Sequence, residues 1–326
     1  MRVRAIAMAI AMTSILGAQS QTVVIYPKSG EPVKYRASEV DHIEFLPASD
    51  EDDTYQVEVT EYYCHKGESQ IYGKLYRPEG VTGALPTVVC AHSASLTADA
   101  MNAYAHALAE AGYCAYAFDF CGGSEDSRSD GTVEEMTISS EEADLKAVIA
   151  DIRQLESVDA NQMFVLGSSQ GGLVAALTAE DPTLDLKGLI LFYPAFNIPD
   201  LIALMDQFGG FGGGFGDFGD MFGGGYSEAF CDEMRDFDVY ANIGTFANPV
   251  KIIHGSNDMI VNVSYSEQAV EAYPNATLDI IQGANHGFNA DNLGGYGGMG
   301  GASADYDSEV IPLLLEFVSS CITIAE

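Results

Sequence analysis

The chain has 326 residues and a formal net charge of −34 at pH 7, from 14 Lys and Arg against 48 Asp and Glu. This acidity argues against nucleic acid and anionic membrane surfaces as partners, because both repel a strongly negative protein. The six cysteines form no C-x-x-C pair and have no metal-ligand spacing, so the sequence predicts no metal and no other cofactor. A domain this large needs no disulfides, and Cys90 and Cys114 in strand patterns are expected to be buried thiols.

The first 20 residues have the pattern of a secretory signal peptide. Residues 1–4 are basic, and the apolar run from Ala5 to Gly17 is too short to span a bilayer comfortably. Small residues follow the run, so we expect cleavage near Ala18 or Ser20. The expectation is a secreted or periplasmic protein without a membrane span.

Two further segments follow the signal pattern. Residues 21–53 contain short strand patterns with a Ser-Gly turn and end in the acidic linker Ser49–Asp53, which predicts a small N-terminal β module. Residues 54–326 form the predicted catalytic domain. The oligomeric state and the role of the module remain open at this stage.

Residues 54–326 alternate between strand and helix patterns. A predicted hairpin at 56–63 and 70–76 is followed by strands at 86–91 and 113–119, with helices at 98–111 and 141–155. Ser139 with Glu142, and Ser264 with Glu267, match capping boxes. Such alternation predicts an α/β fold with a mostly parallel sheet and helices on both faces.

The pentapeptide Gly167-Ser168-Ser169-Gln170-Gly171 lies between an apolar strand pattern and a helical pattern. In that context G-x-S-x-G forms a nucleophile elbow, a turn so sharp that only small residues fit on either side of the serine. We therefore assign Ser169 as the catalytic nucleophile, with Ser168 as the next candidate.

An acid and a base follow in the chain order typical of hydrolases. Asp258 lies in the loop after strand pattern 249–254, and His286 lies in the loop after strand pattern 276–281. The carboxyl ends of parallel strands gather ligand chemistry, so both side chains are expected beside Ser169. Histidine takes the serine proton and the carboxylate orients the imidazole. Asp279, inside a strand pattern, and Asp291, in a Gly-rich loop, are the weaker candidates for the acid.

The other histidine that follows a strand pattern into a candidate site loop is His92. Its loop is interpreted as the oxyanion loop, with His92 as a candidate substrate contact. The expected oxyanion donors are the backbone N–H groups of Gln170 and Ala94. His254, inside a strand pattern, is interpreted as a satisfied core or strand-end residue.

Several motifs together resemble the α/β-hydrolase superfamily and, within it, the bacterial cinnamoyl (feruloyl) esterases. They include residues 118–124, 129–131, 167–172, 254–258 and 283–288. The resemblance runs from about Thr54 to the C-terminus and implies the same nucleophile, acid and base. The chain departs from that pattern in its His-Ser-Ala oxyanion loop and in Ser168, where such esterases often have histidine.

The segment at about 197–245 occupies the place of the cap in the resembled family. Its glycines disfavour a stable helix or a packed strand, so it is expected to be either a mobile apolar lid or a disordered loop. The Gly-rich runs do not follow strands as a phosphate loop should, which argues against nucleotide binding. The candidate substrate contacts on this segment are Phe208, Phe211, Phe215 and Phe218.

The expected function is hydrolysis of carboxylic esters by a secreted serine enzyme. The resemblance implies hydroxycinnamoyl esters, as small molecules or linked to plant cell-wall polysaccharide. The alternatives are a serine peptidase, an acetyl esterase, a dienelactone-type hydrolase, or a non-catalytic surface binding protein on this scaffold. A dienelactone-type enzyme would normally carry cysteine at the elbow, where this chain has Ser169.

Overall fold

The computed structural model describes residues 54–207, 226–288 and 305–322, together with the backbone of two short strands near the N-terminus. The chain divides into two compact units, Met1–Asp52 and Asp53–Glu326. In the first unit, β1 (Thr22–Ile25) pairs antiparallel with β2 (Val33–Arg36). The expected strand pattern near residues 40–45 lies outside the described residues.

The second unit is built on an eight-stranded sheet with the order β10-β9-β8-β7-β5-β6-β4-β3. Strands β3 and β4 form an antiparallel hairpin, β4 pairs antiparallel with β6, and the remaining neighbours are parallel. The strands are β3 (Val57–Lys66), β4 (Ser69–Pro78), β5 (Leu85–Ala91), β6 (Cys114–Phe118), β7 (Val158–Ser168), β8 (Gly188–Phe192), β9 (Val250–Gly255) and β10 (Ala276–Ile281).

Helices cover both faces of this sheet and build one apolar layer on each. One layer contains apolar residues of α2 to α6, and the other contains those of α1 and α7. Strands such as β8 are buried along their whole length because they lie between these two layers. The predicted mostly parallel sheet with helices on both faces is confirmed. The helices are α1 (Asn102–Glu110), α2 (Ile138–Ile152), α3 (Gln170–Ala179), α4 (Ile198–Gln207), α5 (Glu228–Met234), α6 (Val263–Ala272) and α7 (Asp307–Cys321).

Both predicted capping boxes are wrong, although the helices exist. The cap of α2 is Thr137, whose hydroxyl accepts from the Ser140 backbone N–H while the Ser140 hydroxyl accepts from the Thr137 N–H. The cap of α6 is Asn262, which accepts from the Ser264 N–H. Each helix begins earlier than predicted because a neighbouring polar side chain reaches the free backbone N–H groups first.

Four of the six cysteines are buried, and all six carry free thiols. Burial raises the pKa of Cys90 to about 12, so this thiol stays protonated at neutral pH. Within the described ranges, no group of acidic, cysteine or histidine residues could hold a metal ion. No helix among the same residues has the length and apolarity needed to cross a bilayer.

Candidate active site

Ser169 forms a strained turn between β7 and α3. Its φ of 51° and ψ of −118° lie in a region that side-chain-bearing residues rarely adopt. Four backbone bonds hold it there: its N–H donates to Phe192 O, and its carbonyl accepts from the N–H groups of Gly172, Leu173 and Ala195. The turn is therefore fixed by β8 and by the first turn of α3 together.

Two glycines allow this turn to close. A Cβ on Gly167 would lie 2.2 Å from the carbonyl oxygen of Gly171, and a Cβ on Gly171 would lie 2.3 Å from that of His92. Neither contact leaves room for any side chain. The start of α3 is consequently pressed against both β7 and the loop after β5, as the nucleophile-elbow pattern predicts.

Ser169, His286 and Asp258 form one hydrogen-bonded chain. His286 Nε2 lies 3.0 Å from Ser169 Oγ, and His286 Nδ1 lies 2.7 Å from Asp258 Oδ2. Each residue is only 7% exposed, so the chain sits largely out of water. A histidine in this position can take the serine proton while the carboxylate holds its tautomer.

The sheet order explains why these distant residues meet. Ser169 follows β7, Asp258 lies in the loop after β9, and His286 lies in the loop after β10. Strands β7, β8, β9 and β10 are consecutive neighbours and run parallel, so their carboxyl ends lie along one edge. Tyr193, directly after β8, belongs to the same edge.

The Asp258 carboxylate is fully engaged by hydrogen bonds. Its Oδ1 accepts from the backbone N–H groups of Ile260 and Val261 at 2.9 and 2.8 Å, while Oδ2 faces His286. Burial disfavours the charge, but His286 and His254 outweigh it and hold the pKa of Asp258 well below its usual value. The group is thus a stable anion against which His286 can become positive.

His254 is the second histidine on this carboxylate. The sequence predicts a satisfied core residue, and the structure shows both that and a contact of 3.2 Å between His254 Nε2 and Asp258 Oδ2. The side chain is completely buried. Its Nδ1 lies 2.7 Å from Ser266 Oγ on α6, and its Nε2 lies 2.9 Å from Val261 O.

The loop after β5 lies beside the elbow. Ser93 Oγ is 2.9 Å from Ser168 Oγ at the end of β7, and the Leu96 N–H donates to Ser93 O across a tight turn. Ala94 occupies the second position of that turn. Gln170 begins α3, where backbone N–H groups have no acceptor within the helix. Both expected oxyanion donors therefore lie on the two segments that flank Ser169.

The structure does not support His92 as a substrate contact. His92 is 1% exposed, its Nδ1 lies 2.8 Å from Ser93 O, and its Nε2 accepts from the Phe120 N–H at 3.1 Å. Since Nδ1 faces a carbonyl, it carries the proton, and both ring nitrogens are used inside the protein. Burial lowers the pKa of His92, which keeps the ring neutral. His92 thus braces its loop against the segment after β6.

The other predicted site residues do not enter this cluster. Phe208, Phe211, Phe215 and Phe218 lie outside the described residues, as does Asp291. Asp279 forms an ion pair with Lys251 on the neighbouring strand β9. The alternative nucleophile Ser168 is 2% exposed, and its hydroxyl contacts Ser93 and the sulfur of Met101.

Sequence reasoning missed two residues at the site. Tyr193 packs against the imidazole of His286, with 4.5 Å between the ring centroids. Its backbone has a positive φ of 35°. Its position directly after a buried strand was an available signal. Glu141, completely buried on α2, accepts from the Gln170 amide at 2.9 Å. Nothing in its helical pattern distinguishes it from a surface glutamate.

Comparison with known sequences gives partial matches. A family model described as serine aminopeptidase, S33, matches residues 84–211, which is less than half of the chain. A putative carbamate hydrolase, RutD, of Caulobacter sp. (strain K31) is 40% identical over 55 residues. That match covers 17% of this chain and only 20% of the relative's length.

Comparison with solved structures covers nearly the whole second unit. Est1E from Butyrivibrio proteoclasticus, solved with ferulic acid bound, is 20% identical with a TM-score of 0.64, over 79% of this chain and 98% of that one. The α/β hydrolase GrgF from Penicillium sp. sh18 is 15% identical with a TM-score of 0.62, over 82% and 100%. The chain has the α/β-hydrolase fold. An esterase from Exiguobacterium antarcticum shares this α/β-hydrolase fold at 16% identity and a TM-score of 0.58, over 80% and 100%.

Proposed function

We propose that this protein is a serine carboxylic-ester hydrolase with Ser169 as nucleophile, His286 as base and Asp258 as acid. The observation that carries the proposal is the continuous hydrogen-bonded chain from Ser169 Oγ through His286 to Asp258 Oδ2. It begins at a serine whose strained backbone is fixed by four hydrogen bonds. A surface binding protein would have no use for this combination of strain and alignment.

The proposed reaction proceeds in two stages. Ser169 Oγ attacks the ester carbonyl carbon while His286 Nε2 takes its proton, and the negative oxygen of the tetrahedral intermediate accepts from the backbone N–H groups of Gln170 and Ala94. His286 then gives the proton to the departing alcohol. In the second stage, water attacks the acyl-enzyme with His286 again as base, which releases the acid and restores Ser169.

We propose hydroxycinnamoyl esters, such as those of plant cell-wall sugars, as the substrates. The resemblance of residues 118–124 and 283–288 to cinnamoyl esterases supports this class, as does the fold shared with a protein solved with ferulic acid. A peptidase is the second candidate, because the family model that matches residues 84–211 is described as a serine aminopeptidase. An amine leaves an amide only when it is protonated efficiently, whereas an alcohol leaves an ester more readily. The hydrolysis rates of ester and amide substrates therefore distinguish an esterase from a peptidase.

Replacing Ser169 by alanine tests the nucleophile. We expect kcat for p-nitrophenyl acetate to fall on the order of 10⁴-fold while thermal stability is retained, because only the attacking oxygen is lost. Ser168→Ala is the matched control and should keep most of the activity. Near-normal turnover by Ser169→Ala would remove Ser169 as nucleophile and with it the proposed function.

A substrate panel tests the chemical class. We expect kcat/KM for methyl ferulate to exceed those for acetylated xylan, a simple lactone and an aminoacyl p-nitroanilide. A preference for the anilide would favour the peptidase.

The predicted cap adds a second test. Deletion of residues 208–225 should reduce the preference for methyl ferulate over p-nitrophenyl acetate if the phenylalanines of that segment contact the aryl group. An unchanged preference would leave the cap without that role.

We propose export from the cytoplasm on the basis of the basic start and the apolar run from Ala5 to Gly17. N-terminal sequencing of the protein from the periplasm or the medium should give a first residue between Gln19 and Thr22. Retention of Met1 in the mature protein would exclude cleavage.

A further inference from the structure

The Asp258 carboxylate is flanked by two histidine–serine pairs that contact the same oxygen. His286, which is hydrogen-bonded to Ser169, lies 2.7 Å from Oδ2 through its Nδ1. His254, which is hydrogen-bonded to Ser266, lies 3.2 Å from Oδ2 through its Nε2. The first pair is slightly exposed, whereas Ser266 and His254 have no exposed surface at all. The second pair therefore cannot meet a substrate, and its contact must serve another purpose.

The acceptors around His254 determine where its proton lies. Nε2 faces the carbonyl oxygen of Val261 and Oδ2 of Asp258, and both atoms can only accept. Nε2 must therefore carry hydrogen and donate to both. Nδ1 lies 2.7 Å from Ser266 Oγ, and a hydroxyl can serve this nitrogen either as donor or as acceptor. Val261 O and Asp258 Oδ2 thus keep the Nε2 hydrogen aimed at the carboxylate, while Ser266 anchors the other nitrogen of the ring.

This donor completes the support of the carboxylate. Oδ1 is held by the backbone N–H groups of Ile260 and Val261, which fix the start of the loop. Oδ2 must then be aimed at His286 rather than along the loop. The imidazole of His254 is anchored at both nitrogens and belongs to β9, so its N–H restricts the position of Oδ2, the oxygen that faces His286.

We propose that His254, oriented by Ser266, is a positioning residue for the proposed reaction: it holds Asp258 Oδ2 in line with His286 Nδ1. The inference rests on the proposed function, because it acts only through the triad. A lost charge-assisted hydrogen bond of this kind corresponds to a factor of about 10–100 in rate. The expected loss is in kcat, since His254 is buried away from any bound substrate.

The test compares His254→Leu, His254→Gln and Ser266→Ala in the full chain, with p-nitrophenyl acetate as substrate. We expect His254→Leu to lower kcat about 10- to 100-fold with KM within about twofold of the wild type. Glutamine retains an N–H donor, so His254→Gln should keep clearly more activity than His254→Leu. Ser266→Ala should lower kcat about 3- to 10-fold, because the ring then loses its hydrogen bond at Nδ1 and is held less firmly against Asp258. His106→Leu, on the exposed face of α1, serves as the control substitution.

A double-mutant cycle separates positioning from simple packing. In an Asp258→Asn background, His254→Leu and Ser266→Ala should each change the residual kcat by less than about threefold, because the carboxylate they act through is gone. Equal losses in both backgrounds, a loss in KM alone, or a His254→Gln variant no better than His254→Leu would overturn the proposal. If His254→Leu does not fold, the Ser266→Ala cycle decides the question alone. Failure of Ser169→Ala to reduce activity would instead refute the proposed function itself.

Discussion

Two buried carboxyl groups lie next to the elbow, and their surroundings push them in opposite directions. Asp258 is 7% exposed, and backbone and imidazole donors surround it. Glu141 is 1% exposed and accepts from the single amide of Gln170. The pKa of Asp258 lies well below its usual value, whereas burial raises the pKa of Glu141 to about 8. Equal burial therefore does not imply equal protonation.

The difference follows from the count and charge of the neighbours. Burial disfavours both carboxylates, and only Asp258 has enough donors to offset it. Glu141 gains one hydrogen bond from Gln170 but also faces the negative groups Asp144 and Glu233. A triad acid must be an anion at working pH, while a carboxyl that braces Gln170 can be neutral. Donor number, more than burial, thus separates the two roles.

The largest expected effect comes from removing the charge of Asp258. Asp258→Asn keeps the shape, but its amide favours the wrong His286 tautomer, so kcat should fall about 10³- to 10⁴-fold. Steady-state hydrolysis of p-nitrophenyl acetate gives the measurement. Asp279→Asn and Asp291→Asn are the matched controls and should stay close to the wild type. A severe Asp291→Asn variant beside a mild Asp258→Asn variant would make Asp291 the acid.

A second comparison uses stability rather than rate. Asp258→Ala leaves the N–H groups of Ile260 and Val261 and Nδ1 of His286 without an acceptor, so we expect the free energy of unfolding to fall by about 3–5 kcal/mol. Glu141→Leu leaves only the Gln170 amide without its acceptor and removes a buried acid whose burial is unfavourable. We therefore expect the free energy of unfolding to fall by less than about 1.5 kcal/mol. Urea denaturation of the full chain gives both values. Equal losses would show that the two sites are not distinguished by their donors.

The smallest expected effect is a pH dependence at Glu141. Its folded-state pKa of about 8 lies above the ordinary glutamate pKa of 4.5, so its stabilising contribution is complete below about pH 4.5 and is lost as the pH rises through about 8. Glu141→Gln cannot ionise, so its melting temperature should exceed that of the wild type by a few degrees at about pH 9. The gain should shrink to nothing at about pH 4.5. A gain that is constant with pH would mean that folding does not raise the pKa of Glu141.

Sequence patterns predicted the sheet well because parallel strands are buried on both faces. The predicted strand at 86–91 coincides with β5 to within one residue, since a continuous apolar run between turn residues leaves little choice. The helix caps were harder. Thr137, Ser139 and Ser140 all offer a capping hydroxyl, and only the packing of α2 decides among them.

In the candidate site, too, some features could be predicted from sequence patterns and others depend on three-dimensional packing. Ser169, Asp258 and His286 were identified by motif and chain order, and the structure brings these three side chains together. His92 was misjudged, because a histidine after a strand looks the same in sequence whether it faces a cleft or an internal carbonyl. The contact between His254 and Asp258 depends on how residues 258–261 fold back towards the His254 ring, which local patterns do not encode.

The order of strands along the sheet edge has a consequence for folding. Ser169 and His286 are separated by 117 positions in the chain, and their contact requires β8, β9 and β10 to be added in turn beside β7. Loop closures of this length are slow compared with local helix formation. Hydrolysis is therefore expected to return only after β9 and β10 have docked, later than most of the helical signal. The time at which hydrolysis recovers during refolding would then report when the last strands of the sheet dock.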